Sequence, residues 1–296
     1  MTSPVPASDH SPDVSILLLG AGRMGAAMLR GWLAQGVPGS AIAVIDPTPT
    51  AELQALAGHA GFHLNPAGTG HADILVAAVK PQMVAAAAPA VEGWLSGGSL
   101  VVSIMAGKTL ADLKLLFPAA GAHVRAMPNL PAAVGRGATV AVAGPGIPAD
   151  VLAGVVERAG RLLGAVGSLE WLEDEALVDA ATAVSGSGPA YVFYMVDCLT
   201  NAGVEAGLPP EVAERLARAT VEGAGALMGA TGQSAADLRA GVTSPGGTTQ
   251  AGLSVLMADG ILQGLLSSTV RAAAARAREL GGVTPAPAAP AVLPVA

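Results

Sequence analysis

This chain is short of several residue types, and each shortage removes a class of function. It has one cysteine, Cys198, in 296 residues, so no disulfide framework can form within it and a cytosolic setting is expected. Cys198 sits in an apolar helical pattern and reads as a buried, inert thiol. Basic residues number 15 against 22 acidic, a formal net charge of −7. That balance lacks the basic face needed to displace counterions from nucleic acid or to bind an anionic membrane. The long uncharged runs, such as 180–196 and 240–258, carry Gly, Pro, Ser or Thr clusters and are poor membrane spans.

The scarce titratable groups are also unevenly placed. All five histidines (His10, His59, His63, His71, His123) and all three lysines (Lys80, Lys108, Lys114) lie in the first half. No Cys/His cluster has zinc spacing, so no metal is expected. The second half therefore has no His or Lys to act as general acid–base, which counts against the lactate-dehydrogenase and β-hydroxyacid-dehydrogenase plans.

Plentiful Ala and 39 glycines, with 3% aromatics, imply a core of closely approaching backbones. Short apolar runs at 14–20, 41–46, 72–79, 99–105, 122–127, 138–144 and 165–171 read as strands. Helical patterns at 23–35, 50–57, 82–92, 109–117 and 148–163 lie between them. This alternation predicts an α/β fold, a Rossmann-type doubly wound sheet, over 13–172. From 173 to 281 the strand pattern stops, and helices are expected at 173–184, 188–206, 210–229, 250–259 and 261–280. That part reads as an all-helical domain. Residues 1–12 and the Ala/Pro-rich 282–296 read as disordered tails, the first with no signal-peptide pattern.

Two segments carry chemistry. "GAGRMG" (Gly20, Ala21, Gly22, Arg23, Met24, Gly25) follows the first strand, opens a helix, and is followed about twenty residues on by Asp46. Gly20 permits the tight turn, Gly22 lets a pyrophosphate approach, and Gly25 lets helix pack on strand. A dinucleotide is expected on that helix N-terminus. Asp46 suits a ribose 2′-hydroxyl and leans to NADH; Arg23 suits a phosphate and leans to NADPH. Both stay open. The second segment, "VTSPGGTTQAGL" (242–253), pairs two glycines with two threonines and carries no charge. It reads either as an ordinary helix start or as a site that holds something negative on free N–H groups. With so few acid–base groups, hydride transfer to an imine fits, since a protonated C=N is already electrophilic.

At this level of detail the chain resembles the Δ1-pyrroline-5-carboxylate reductases, from about residue 14 to 280. "GAGRMG", "AVKPQ" (78–82), "RAMPNLPA" (125–132), "SGSGPAYVFYMVDCLTNAGVEAGLP" (185–209) and "VTSPGGTTQAGL" carry the resemblance. It implies NADPH- or NADH-dependent reduction of 1-pyrroline-5-carboxylate to L-proline, in the cytoplasm. It implies a substrate loop at 244–249. There Ser244 and the N–H groups of Thr248 and Thr249 take the carboxylate, around Gly246 and Gly247, and Thr249 Oγ reaches the ring nitrogen as the catalytic contact. It implies that Val79, Lys80 and Pro81 border the nicotinamide ribose, and that Asn129 lines the cofactor cleft. It also implies a homodimer through interleaved helical domains, assembling further. The chain departs from the family pattern at Leu130, usually Thr, at Met257, usually acidic or amide, and at Gln233 and Ser234, in place of the commoner Glu-His. Reduction of another cyclic imino acid on this scaffold, or a non-catalytic nicotinamide-binding dimer, are the alternatives.

Overall fold

The structure, a computed structural model, describes residues 14–282. Both expected tails lie outside that range, save Gly282. Eight strands form one sheet: β1 Val14–Leu19, β2 Ile42–Ile45, β3 His63–Leu64, β4 Ala72–Ala77, β5 Leu100–Ser103, β6 Ala122–Met127, β7 Gly137–Ala143 and β8 Gly167–Trp171. Their order is β3-β2-β1-β4-β5-β6-β7-β8. All neighbours pair parallel except β6 and β7. The expected doubly wound sheet is therefore present. The strands expected from the apolar runs all form, and β3 is an extra two-residue edge strand.

The sheet divides its apolar residues between two faces, as the strand period of two requires. Ile16 and Leu18 of β1 meet Met28, Leu29 and Trp32 of α1 (Arg23–Ala34), with Val155, Ala159 and Leu162 of α6 (Ala149–Gly164). The indole N–H of Trp32 donates to Leu162 O at 3.0 Å, so the buried ring leaves no polar atom unpaired. On the other face, Leu17 and Leu19 meet Val84 and Val91, from α3 (Val84–Ala87) and α4 (Pro89–Glu92), together with Trp94. Leu110 and Leu113 of α5 (Leu110–Leu116) join them. On the first face α2 (Ala51–Ala60) adds Leu53, and its N-cap Thr50 accepts from Leu53 N at 3.2 Å.

Residues 14–186 with 273–282 form one compact unit, and 187–272 form a second. The division falls past the 172/173 boundary expected from the end of the strand pattern. The reason is that residues 175–186 pack on the sheet. Arg125, buried on β6, donates to Glu175 Oε1 at 2.9 Å and to Asp179 Oδ1 at 3.4 Å. Asp179 lies in the short helix α7 (Val178–Ala181), which runs directly into a π-helical turn, Thr182–Gly186. The last residues of α12 (Ile261–Leu280) also belong here. A Cβ on Gly107, whose φ is +72°, would lie 2.8 Å from Leu280 O, so only glycine suits that approach.

The second unit is helical, as expected: α8 Gly188–Glu205, α9 Pro210–Thr231, α10 Ala235–Gly241, α11 Thr248–Met257 and the start of α12. The helix α10 was not expected. Helices α8 and α9 meet at Gly203, where a Cβ would come within 3.2 Å of Ala213 Cβ. Among the described residues of this unit, the only buried apolar ones are Ala213 and Ala217. Phe193, Tyr194, Leu199, Val255, Ile261 and Leu265 are exposed in the single chain. Cys198 is exposed too, so the expectation of a buried thiol is not met within one protomer. A mostly apolar helix reads as core from sequence, but Phe193, Tyr194 and Cys198 of α8 are exposed in the single chain. The run Thr248–Leu280 is long and apolar enough to cross a membrane by length and composition, with a mean hydropathy of 1.4. It is broken by Asp259, which has a φ of 49°.

Candidate active site

Strands β1, β2, β4, β5 and β6 run parallel, so their C-terminal ends share one edge of the sheet. Chain connections reverse direction there between β1 and β4, the position at which doubly wound sheets bind ligands. The structure brings most of the expected cofactor residues to this edge. Gly20 has a φ of +89° and donates its N–H to Ile45 O at 2.8 Å. A Cβ there would lie 2.7 Å from Val79 Cγ1, so Val79 backs the loop. A Cβ on Gly25 would overlap the Gly20 carbonyl oxygen. Gly22, the N-cap of α1, is different: nothing lies within 4 Å of its Cβ position. That open space is the cradle a pyrophosphate requires, and a side chain would fill it. No side chain caps α1 and its first turn has no acidic residue, so its leading N–H groups remain available to an anion. The residues therefore fit a dinucleotide.

Beside this loop is a cavity of about 420 Å³ lined by Gly22, Arg23, Met24, Arg30, Leu130 and Ala133, among others. Leu130, half-exposed, thus turns an apolar side chain to the cavity that Arg23 borders. Asp46, just past β2, accepts from Ala21 N at 2.8 Å and from Thr48 N at 2.9 Å. Lys80 and Pro81 lie just past β4, after Ala78 and Val79. Lys80 is exposed, and its carbonyl accepts from Met83 N at 2.8 Å.

Asn129, past β6, is buried, and both ends of its amide are engaged. Its Oδ1 accepts from Ala138 N and its Nδ2 donates to Ser185 O, each at 2.8 Å. It locks the 127–134 loop to β7 and to the π turn, a positioning role that the sequence did not reveal. Arg125 was likewise unassigned from sequence. Glu175 Oε1, which it meets, also accepts Leu110 N at 2.8 Å.

The second candidate segment lies in the helical unit. Gly246 has a φ of +71°, and Gly247 donates to Ser244 O at 3.0 Å and caps α11 with no side chain. Thr248 and Thr249 are the first two helical residues. Gln250, not singled out from sequence, uses its Oε1 to accept Gly246 N at 2.6 Å. Among the described residues, no acceptor meets the N–H groups of Thr248, Thr249 or Gln250. No metal-holding group of His, Cys, Asp and Glu occurs among the described residues.

Residues 175–280 match the model of the pyrroline-5-carboxylate reductase dimerisation domain. Residues 15–107 match that of NADP oxidoreductases described as coenzyme F420-dependent. A pyrroline-5-carboxylate reductase of Pseudomonas aeruginosa is 40% identical over 269 residues, which cover 90% of this chain and 96% of that protein. The chain belongs to the pyrroline-5-carboxylate reductase family. An Arabidopsis thaliana pyrroline-5-carboxylate reductase is 38% identical, over 94% of this chain and 98% of its own. The solved structure of a pyrroline-5-carboxylate reductase from Coxiella burnetii superposes with a TM-score of 0.79 at 33% identity, covering 90% of this chain and 98% of that one.

Family membership makes this chain an NAD(P)H-dependent oxidoreductase that forms homo-oligomers through its helical domain. It also accounts for the apolar faces of α8, α11 and α12. They lie inside the dimerisation match, and such open apolar surface is what an oligomer interface offers.

Proposed function

We propose that residues 244–249 form the carboxylate-holding half of a pyrroline-5-carboxylate reductase site, and the sheet edge at Gly20–Gly25 the cofactor half. The activity is the family's: reduction of the C=N bond of 1-pyrroline-5-carboxylate to L-proline. The uncapped start of α11 carries the residue assignment. A helix of ten residues whose cap is Gly247 leaves N–H groups and the positive end of its dipole without a partner. Gln250, the polar side chain of that turn with an engaged oxygen, is spent on Gly246 rather than on the helix donors.

In this reading Thr248 N and Thr249 N donate to the substrate carboxylate, with Ser244 Oγ beside them. Gly246 and Gly247 let the carboxylate approach backbone, and Thr249 Oγ hydrogen-bonds the ring nitrogen and orients the C=N. A reduced nicotinamide supplies the hydride. Gly20, Ala21, Gly22, Arg23, Met24 and Gly25 seat its phosphates, Asp46 its adenosine ribose, and Val79, Lys80 and Pro81 its nicotinamide ribose. Asn129 shapes that cleft through its backbone partners. The reaction needs no strong acid from the protein, in keeping with a helical region free of His and Lys.

The same reading has the protein cytoplasmic, with dimers assembling into a larger homo-oligomer. The test is nicotinamide oxidation on adding 1-pyrroline-5-carboxylate, with proline identified as the product. Absence of turnover with either NADH or NADPH overturns the assignment. A kcat/KM higher for the six-membered imino acid than for the five-membered one would move the substrate and keep the site.

A further inference from the structure

We infer that Glu175, held in place by Arg125, is a positioning residue for the reduction. It fixes the stretch 104–109, past β5, at the edge of the sheet where the dinucleotide is proposed to sit. The inference rests on that proposed site and adds a part that neither the glycine loop nor 244–249 supplies.

The stretch is neither helix nor strand, and it begins on the ligand edge. Ile104 N donates to Ala77 O at 3.0 Å, at the end of β4 and two residues before Val79. Met105 N donates to Ser103 Oγ at 3.2 Å. The stretch thus starts beside the residues proposed to border the nicotinamide ribose. It ends at Thr109, the N-cap of α5. That cap is closed locally in both directions: Asp112 N donates to Thr109 Oγ1 at 3.1 Å, and Thr109 N to Asp112 Oδ2 at 2.9 Å. Formation of α5 therefore does not require Glu175. Yet Glu175 Oε1, 65 residues further on, accepts Leu110 N at 2.8 Å. What this contact adds is a fixed place for the start of α5 and for the stretch that leads into it.

Glu175 is held in turn. The same Oε1 accepts Arg125 Nη1 at 2.9 Å, while Asp179 Oδ1 accepts Nη2 at 3.4 Å. Arg125 is buried on β6 and stands opposite Ser103 in the sheet register. Well-packed apolar residues often match a buried ion cluster in stability, but not in direction: a guanidinium is planar and its donors form a fixed fork. So β6 sets where Glu175 Oε1 lies, and that oxygen sets where α5 begins.

Packing alone would not hold the stretch. A cavity of about 50 Å³ is lined by its Met105, Ala106 and Gly107 together with Arg125 and Asp179, which leaves it room to shift. Among the described residues, Asp179 hydrogen-bonds Arg125 and no group of the stretch. Glu175 alone joins the ion cluster to it. A shift would move the wall beside the nicotinamide, and misplacing reacting atoms by about 1 Å can cost on the order of a hundredfold in rate.

The test compares two variants of the full-length protein that each take one carboxylate from Arg125. Glu175→Met loses the Arg125 and Leu110 contacts; Asp179→Leu loses the Arg125 contact alone. Both are assayed well below their unfolding midpoints, with saturating 1-pyrroline-5-carboxylate and dinucleotide. Glu175→Met should lower kcat at least about tenfold, and Asp179→Leu less than about threefold. The dinucleotide Kd, read by nicotinamide fluorescence, should stay within about twofold in both. Glu175→Gln keeps the accepting oxygen and should hold kcat within about threefold of the unaltered protein. Leu110→Pro reaches the same contact from the other side. It deletes the N–H where the first helical position suits proline, leaves the ion cluster intact, and should lose kcat as Glu175→Met does, which serves if the latter does not fold. Amide hydrogen exchange over 104–110, with no substrate present, should quicken in Glu175→Met and not in Asp179→Leu. Equal losses of kcat in those two variants would leave Glu175 a stability role only and overturn the inference. So would unchanged exchange over 104–110, or a Glu175→Gln as slow as Glu175→Met. Absence of turnover by the unaltered protein sinks the proposed function instead, and the exchange contrast then still decides whether Glu175 holds this stretch.

Discussion

Between Val14 and Gly186 the chain buries Leu, Ile, Val, Phe and two tryptophans on both faces of a sheet; between Ser187 and Ala272 it buries two alanines. Both stretches are rich in apolar residues. The difference is where the covering surface comes from. A sheet strand covers its neighbour within one chain, and helices close the faces. The helical stretch lays long apolar faces open, and the pairing it requires is with another protomer. Apolar content alone thus predicts burial, but not in which molecule the burial happens.

This contrast can be broken by charge. A Phe193→Glu substitution puts a carboxylate on the exposed apolar face of α8. Desolvating such an ion costs several kcal/mol, so the homo-oligomer should dissociate, as read by sedimentation. The sheet unit should keep its dinucleotide affinity. The converse variant acts inside the sheet unit. Arg125→Met leaves Glu175 and Asp179 without their buried partner, at a cost of about 3 kcal/mol in a denaturant titration. An unchanged midpoint would show the ion cluster to be dispensable.

A third substitution sharpens the division of labour between the two units. Thr249→Ala removes one neutral hydrogen bond, worth on the order of 1 kcal/mol. That predicts a kcat/KM lower by about fivefold with dinucleotide affinity unchanged. A collapse of dinucleotide affinity instead would place this loop in the cofactor half.

The smallest effect is one of pH. Burial holds the imidazole of His123 below its ordinary value, aided by the charge on Lys114, although the contact of its Nε2 with Phe117 O at 3.1 Å opposes the shift. A group depressed in the folded state binds protons more readily when unfolded. The stability tied to neutral His123 is therefore complete above its unfolded pKa of about 6.5 and is lost as pH falls through the lower folded value. Denaturant midpoints should drop on acidification below that point, and less so in His123→Gln.

Much of this was legible in the sequence, for a physical reason. The central strands, such as Val14–Leu19 and Leu100–Ser103, are short and mostly apolar, and the glycine loop sits where a strand hands over to a helix, so local pattern and tertiary role agree. What stayed illegible was side-chain pairing across distance. Nothing near Asn129 announces Ser185, and nothing near Arg125 announces Glu175, because each pair is made by topology. The helix α10 had a readable start, Ser234 accepting Asp237 N at 3.1 Å, but its seven residues are too short for periodicity to register. Cys198 is exposed because it lies on a face of α8 that the described residues of its own chain leave open, and an apolar helical pattern does not say which face is covered.

The two buried alanines of the helical unit have a thermodynamic corollary. If the rest of its apolar surface is covered only on association, folding of that unit is a bimolecular event, and mass action enters its stability. Dilution then acts as a denaturant does elsewhere: the melting midpoint should climb with protein concentration, whereas that of an isolated sheet domain would not. A cell holding few copies of this chain would hold few folded active sites per copy.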